Sequence, residues 1–159
     1  GRAYQRPPVK PLMYGGQQER GYRPGTTPVA LTAGFALAAE LCDREASEHM
    51  KRCREIKENF LNAINGLQYS LNGDPEYCLP TTVNISFHGA DAEGVFLALK
   101  NDYAFSNGSA CNSGSHSPRY VLAAMGLSDQ RISEAVRISW NSDTEVDFSA
   151  LVEYIKSIT

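Results

Sequence analysis

Val83-Asn84-Ile85-Ser86-Phe87 alternates apolar and polar side chains with the period of two that a strand buried on one face requires. Outward from it, Asn72-Gly73-Asp74-Pro75 is a turn, and Gln68 to Leu71 before that turn reads as a neighbouring strand. On the other side, Asp91 to Lys100 predicts a helix with Asp91 near its start, followed by a short strand at Tyr103 to Phe105. Pro118 opens a helix that ends at Gly126, and Ser128 to Glu134 is a short capped helical segment. Val136 to Trp140 is a strand, and Thr144 or Asp143 caps a final amphipathic helix that reaches Ile158. Strands interleaved with helices predict an α+β fold, a small sheet with helices on one side. The sequence holds no internal repeat.

Upstream of the sheet lies a much longer element. Thr27 followed by Pro28 is a helix start, a hydroxyl cap and then proline at the first helical position, and Gly66 is a terminator. One helix of about 38 residues, roughly 57 Å long, is the simplest reading. Its first half is apolar nearly all round (Val29, Leu31, Phe35, Leu37, Leu41), whereas its second half carries a single stripe of Ala46, Met50, Cys53, Ile56, Phe60 and Ile64. A compact domain of 159 residues has a radius of gyration near ~15 Å, so the helix overshoots it. The expectation is that other chain, or another subunit, covers the first half.

Composition narrows the class. With 42% hydrophobic and 21% charged residues the chain can bury a core, which argues against disorder. The most apolar stretch, Pro28 to Cys42, is broken by Thr32, Gly34 and Glu40 and is too short for a bilayer span; no signal peptide opens the chain. These points predict a soluble, cytoplasmic protein with no membrane partner. A formal charge of −3 argues against direct nucleic-acid binding. Charge is uneven, however: Arg2, Arg6, Lys10, Arg20 and Arg23 face only Glu19 in the opening segment. There Gly15-Gly16-Gln17-Gln18-Glu19-Arg20-Gly21-Tyr22-Arg23-Pro24-Gly25-Thr26, taken alone, reads first as a structural turn and second as a cradle for an anion ahead of a helix start. It lacks the Gly-Lys-Ser/Thr ending of a P-loop.

Cys42, Cys53, Cys78 and Cys111 show neither a CxxC pair nor Cys/His spacing suited to zinc, so no metal is expected. Cys42 and Cys53 stand eleven residues apart on one helix, roughly 16 Å, and cannot reach the ~4.4–6.8 Å that a disulfide needs between Cα atoms. Cys42, Cys53 and Cys78 read as small buried hydrophobes. Cys111 differs, because it sits in Ser106-Asn107-Gly108-Ser109-Ala110-Cys111-Asn112-Ser113-Gly114-Ser115-His116-Ser117. A thiol among small polar residues is a candidate nucleophile, provided that a base, cation or electrophile activates it. His116 is one such base, or simply a solvated loop residue.

These residues carry a resemblance. Ser109-Ala110-Cys111 in its Ser/Gly-rich loop, then Pro118 and Tyr120-Val121-Leu122, then Ala135-Val136-Arg137-Ile138-Ser139, all preceded by the Gly15-to-Thr26 run, resembles the carboxy-terminal part of a NifS/IscS-type cysteine desulfurase of the class V aminotransferase family. The likeness runs through essentially the whole chain. It implies the small C-terminal domain of a fold type I pyridoxal-phosphate enzyme. Residues 1–27 would be the cofactor-phosphate and dimer-interface loop, 28–66 the interdomain helix, and 67–159 the small domain carrying the cysteine loop at 106–117. The long form of that loop resembles the branch serving iron–sulfur cluster assembly, tRNA thiolation and DNA phosphorothioation.

The resemblance also implies roles. Cys111 is the nucleophile that takes sulfur from L-cysteine held on pyridoxal 5'-phosphate, leaving L-alanine and a persulfide. Arg137 binds the substrate carboxylate, and Thr26 contacts the cofactor phosphate of the neighbouring subunit in a homodimer. Arg20 and Arg23 belong to the same run without an assigned role. A sulfur-acceptor protein is the implied partner. The Schiff-base lysine of such enzymes follows a histidine in a preceding large domain, and Lys10, Lys51, Lys57, Lys100 and Lys156 stand in no such context. The isolated chain is therefore expected to be inactive. Two other readings of the residues stay open: a non-enzymatic persulfide carrier, and a thiol hydrolase using Cys111 and His116.

Overall fold

The alternation along Val83–Phe87 has its structural counterpart in the centre of a sheet. In the computed structural model, which describes residues 9–106 and 120–159, β1 (Tyr69–Leu71), β2 (Thr82–Phe87) and β3 (Ala135–Ser139) form a three-stranded antiparallel sheet in the order β1-β2-β3. Register is set by Tyr69 opposite Phe87 on one side of β2, and by Asn84 opposite Arg137 and Ile85 opposite Val136 on the other. The helices are α1 (Val29–Ala63), α2 (Ala92–Leu99), α3 (Tyr120–Ala124), α4 (Asp129–Ser133) and α5 (Ser149–Ile158). Chain contacts divide the protein into two compact units, Gly1–Glu45 and Ala46–Thr159.

In the second unit, one face of the sheet carries the core. Val83, Ile85 and Phe87 of β2 and Val136 and Ile138 of β3 cluster with Ile56, Phe60 and Ile64, with Val95 and Leu99 of α2, and with Leu151 and Ile155 of α5. Phe60 is wholly buried and packs edge-on against Phe148, ring centroids 5.1 Å apart. Trp140 donates its indole N–H to the carbonyls of Cys53 (3.1 Å) and Pro80 (2.8 Å), tying α1 to the end of the sheet. Gly66, at φ +95°, takes the left-handed conformation that ends the α1 turn. The later part of α1, α2 and α5 thus lie on one face, while α3 and α4 add a small second cluster of Leu122, Ile132 and Ala135.

The opposite parity of β2 and β3 is polar. Asn72 donates to Asn84 Oδ1 and Ser86 Oγ, both at 2.8 Å. The Arg131 guanidinium donates to Asn72 Oδ1 and the Leu71 carbonyl, both at 2.7 Å. Ser86 donates to the Arg131 carbonyl at 2.7 Å. The buried Glu134 accepts from the Gly89 amide and from Gln130. Among the described residues, no buried side-chain polar atom lacks a partner.

Several expectations are corrected. Tyr103–Phe105 is not a strand: the amides of Asp102 and Tyr103 close onto the Leu99 carbonyl in the turn after α2, residues 103–105 follow it as irregular chain, and Ser106 alone pairs, as an isolated bridge to Arg137. Neither Asp143 nor Thr144 caps α5. Thr144 is held in a turn by Asn141, and Asp147 Oδ1 instead accepts from the Ser149 amide. α1 starts at Val29, with the Pro28 carbonyl accepting from the Thr32 amide, which places Thr27 one position before the cap; its hydroxyl donates to Glu19 Oε1. Cys53 is buried, but Cys42 and Cys78 are exposed: Cys42 lies on the unburied first part of α1, and Cys78 in the loop after the Asn72–Pro75 turn. Burial along the α1 stripe begins only at Cys53, with Ala46 exposed and Met50 half-buried. In the first unit, Val29, Leu31, Phe35 and Leu37 are all exposed. Among the described residues, no helix is long and apolar enough to cross a membrane, and no cluster of His, Cys, Asp and Glu could hold a metal ion.

Candidate functional site

Arg137 is the third residue of β3, between the buried Val136 and Ile138, so strand alternation sends it to the polar face of the sheet. It stands mid-strand rather than at a strand end. On one side its Cα partner is Asn84. On the other, Ser106 closes a two-bond bridge: the Ser106 amide donates to the Arg137 carbonyl at 3.1 Å, and the Arg137 amide to the Ser106 carbonyl at 2.8 Å. Arg137 Nη2 also reaches Ser106 Oγ at 3.4 Å. Its side chain is exposed, and among the described residues no carboxylate lies in ion-pair contact with it.

The chain leading to that bridge is anchored. Phe105 is buried, and Tyr103 stacks on it with centroids 5.2 Å apart while donating its phenol to the Asp147 carbonyl at 2.6 Å. Burial holds the Tyr103 phenol above its ordinary pKa, with the negative charges of Asp147 and Asp102 acting the same way. Ser106 lies five residues before Cys111 in the sequence. Cys111 and His116 lie outside the described residues.

Thr26 belongs to the first unit, and its side chain is exposed. The run before it is tied back on both sides of this residue: Gln18 Oε1 accepts from the Gly25 amide at 3.2 Å, and Glu19 Oε1 from the Thr27 hydroxyl at 3.5 Å. To close that turn Glu19 and Arg20 take left-handed conformations, φ +49° and +57°, which for side-chain-bearing residues cost of order 1 kcal/mol or more each. Arg23 folds over the run and donates to the Pro24 carbonyl at 2.8 Å. Gly25 itself stands at φ +109°, a conformation that favours glycine. An exposed hydroxyl, a guanidinium and the start of α1 three residues on form a donor set of the kind a phosphate takes.

Sequence reading singled out Thr26 and Arg137 but not their supports. Ser106 pairs with a residue 31 positions away, a non-local contact that no periodicity signals. The polar side of Val83–Phe87 did carry a trace of the Asn72, Asn84, Ser86 and Arg131 network, in Asn84 and Ser86 themselves.

The model of aminotransferase class-V proteins matches residues 5–147. The chain belongs to that family. Among relatives within it, a probable mitochondrial cysteine desulfurase of Schizosaccharomyces pombe is 38% identical over 145 residues, covering 89% of this chain and 29% of the relative. The cysteine desulfurase IscS of Rickettsia massiliae is 39% identical over 146 residues, covering 89% of this chain and 35% of its own length. Solved structures in the family agree. A NifS-like protein from Rickettsia africae superposes with a TM-score of 0.73 at 27% identity, over 94% of this chain and 40% of that one. DndA from Streptomyces lividans does so with a TM-score of 0.63 at 34% identity, over 84% and 37%. The chain thus spans roughly a third of the length of the family members it matches.

Proposed function

We propose that the chain is the carboxy-terminal part of a pyridoxal-phosphate-dependent cysteine desulfurase, its small domain at 67–159 joined through the helix at 28–66 to a phosphate loop at 1–27. Arg137 carries the reading. An exposed guanidinium with no carboxylate against it among the described residues suits a substrate carboxylate, which it would grip through two parallel N–H donors. The sulfur-accepting thiol is Cys111.

Four residues of this chain take part. Arg137 fixes the carboxylate and so the direction in which L-cysteine presents its side chain. Thr26, with Arg23 beside it, holds the cofactor phosphate of a neighbouring subunit in a homodimer. Pyridoxal phosphate, when bound, supplies the electron sink that weakens the substrate's carbon–sulfur bond. Cys111 as thiolate attacks the substrate sulfur. The new S–S bond forms as the C–S bond breaks, and the carbon takes up a proton to become L-alanine. Cysteine and thiol thus become alanine and persulfide with no outside oxidant. The persulfide then passes to an acceptor protein serving iron–sulfur assembly, tRNA thiolation or DNA phosphorothioation.

The test joins the chain to its lysine-bearing large domain and supplies L-cysteine. Mass spectrometry should find one added sulfur on Cys111 and alanine released in step with it, and Cys111→Ser should abolish both. Persulfide on Cys42 or Cys78 instead, or alanine formation undiminished in Cys111→Ser, overturns the assignment. The isolated chain with pyridoxal phosphate and L-cysteine should yield no alanine.

A further inference from the structure

We propose that Ser106 is the positioning residue of Arg137, a role that rests on Arg137 binding the substrate carboxylate. The two residues meet in three ways: a pair of backbone hydrogen bonds at 2.8 and 3.1 Å, and Nη2 against Ser106 Oγ at 3.4 Å. The backbone bonds need no particular side chain at 106. The hydroxyl is therefore the separable part of the contact.

Its chemistry suits the task. An arginine on an exposed strand position samples many rotamers, and a carboxylate ligand must freeze them before it can be gripped. A partner carboxylate would hold the guanidinium still but neutralise it and compete with substrate. A neutral hydroxyl at 3.4 Å holds one Nη2 proton weakly. It leaves the positive charge intact and the remaining donors of the planar fork for the ligand. Position 106 is fixed from its own side by the buried Phe105 and by Tyr103 on the Asp147 carbonyl, so the hydroxyl is itself presented on anchored backbone. Ser106 thus lowers the ordering cost of substrate binding without touching the reacting atoms.

The experiment uses the full-length holoenzyme. Ser106→Ala should raise KM for L-cysteine by about three- to tenfold, the worth of one neutral hydrogen bond, with kcat unchanged within about twofold. Ser106→Thr, which keeps the hydroxyl, should restore KM. Equilibrium titration with L-alanine, a carboxylate ligand that does not turn over, should show the same weakening in Ser106→Ala and the same rescue. In an Arg137→Ala background, Ser106→Ala should raise KM by less than it does in the parent enzyme. An unchanged KM in Ser106→Ala, a loss not rescued by threonine, or additive effects in the double variant each overturn the positioning role. Should Arg137→Ala itself leave KM and L-alanine binding unchanged, the carboxylate reading fails instead, and the two failures are told apart by that one variant.

Discussion

The two parts of α1 are one continuous run of helical backbone held in opposite circumstances. From Ala46 onward the helix buries Cys53, Ile56 and Phe60, followed by Ile64 just past its end, at the three- and four-residue spacings that put them on one side. Before Glu45 none of its residues is buried, although Val29, Leu31, Phe35 and Leu37 are as apolar as those that are. Apolar character does not by itself stabilise a fold. Each such side chain contributes about 1.5–3 kcal/mol only when something covers it. The amphipathic part finds its cover within the second unit, on the sheet and α5. The all-round apolar part is helical in backbone, and among the described residues nothing buries its side chains.

The sharpest way to break this contrast is to cut the same residue type from each part. Phe60→Ala removes a wholly buried ring that touches Trp140 and Phe148 and should cost about 3–5 kcal/mol, measured by urea unfolding of the chain. Phe35→Ala should change stability by no more than about 0.5 kcal/mol. A comparable loss in both variants would mean that the first part is packed in solution against something of this chain's own.

Two arginines on the polar side of the sheet repeat the contrast at smaller scale. Arg131 spends its guanidinium on Asn72 and the Leu71 carbonyl, and Arg131→Ala would strand both acceptors. It should cost about 2 kcal/mol in the same unfolding measurement. Arg137→Ala keeps the backbone bridge to Ser106 and should stay within about 0.5 kcal/mol, its loss appearing in ligand binding instead. A large stability loss from Arg137→Ala would recast that residue as structural.

What was legible in the sequence follows the same division between local and non-local causes. Strand alternation in Val83–Phe87, the Asp91 cap that takes the Gly94 amide, and the Ser128 cap that takes the Arg131 amide are written in neighbouring residues, and the elements stand where these signals put them. Thr26 and Arg137 were singled out because their surrounding motifs resemble a family. Failures came where a distant partner decided the outcome. Tyr103 and Phe105 have strand-forming side chains, but the Leu99 carbonyl claims the Tyr103 amide and Asp147 claims its phenol. Thr144 is a good capping residue diverted by Asn141, and α1 starts one position later than a Thr27 cap requires. Ser106, within a run of small polar residues, carries no local sign of the bond it makes to Arg137.

That diversion of caps supplies the smallest test of the contrast. In the packed unit, α5 starts from the Asp147 carboxylate, which accepts from the Ser149 amide at 3.0 Å and from the Ser149 hydroxyl at 2.6 Å. These bonds favour the ionised form and hold Asp147 below its ordinary pKa, the hydroxyl contributing most. A carboxyl whose pKa is lowered by folding stabilises the folded state above its unfolded pKa and loses that contribution as pH falls through the folded one. Asp147→Ala should therefore lower Tm by a small, constant amount at neutral pH, and the gap to the parent chain should narrow below about pH 4. At the start of α1 the Thr27 hydroxyl makes only a long bond to Glu19, at 3.5 Å, and Thr27→Ala should leave Tm unchanged at both pH values. If the Asp147→Ala gap persisted undiminished at pH 3, the stabilisation would come from something other than the ionised carboxylate, and the capped start of α5 would no longer distinguish the packed unit from the open one.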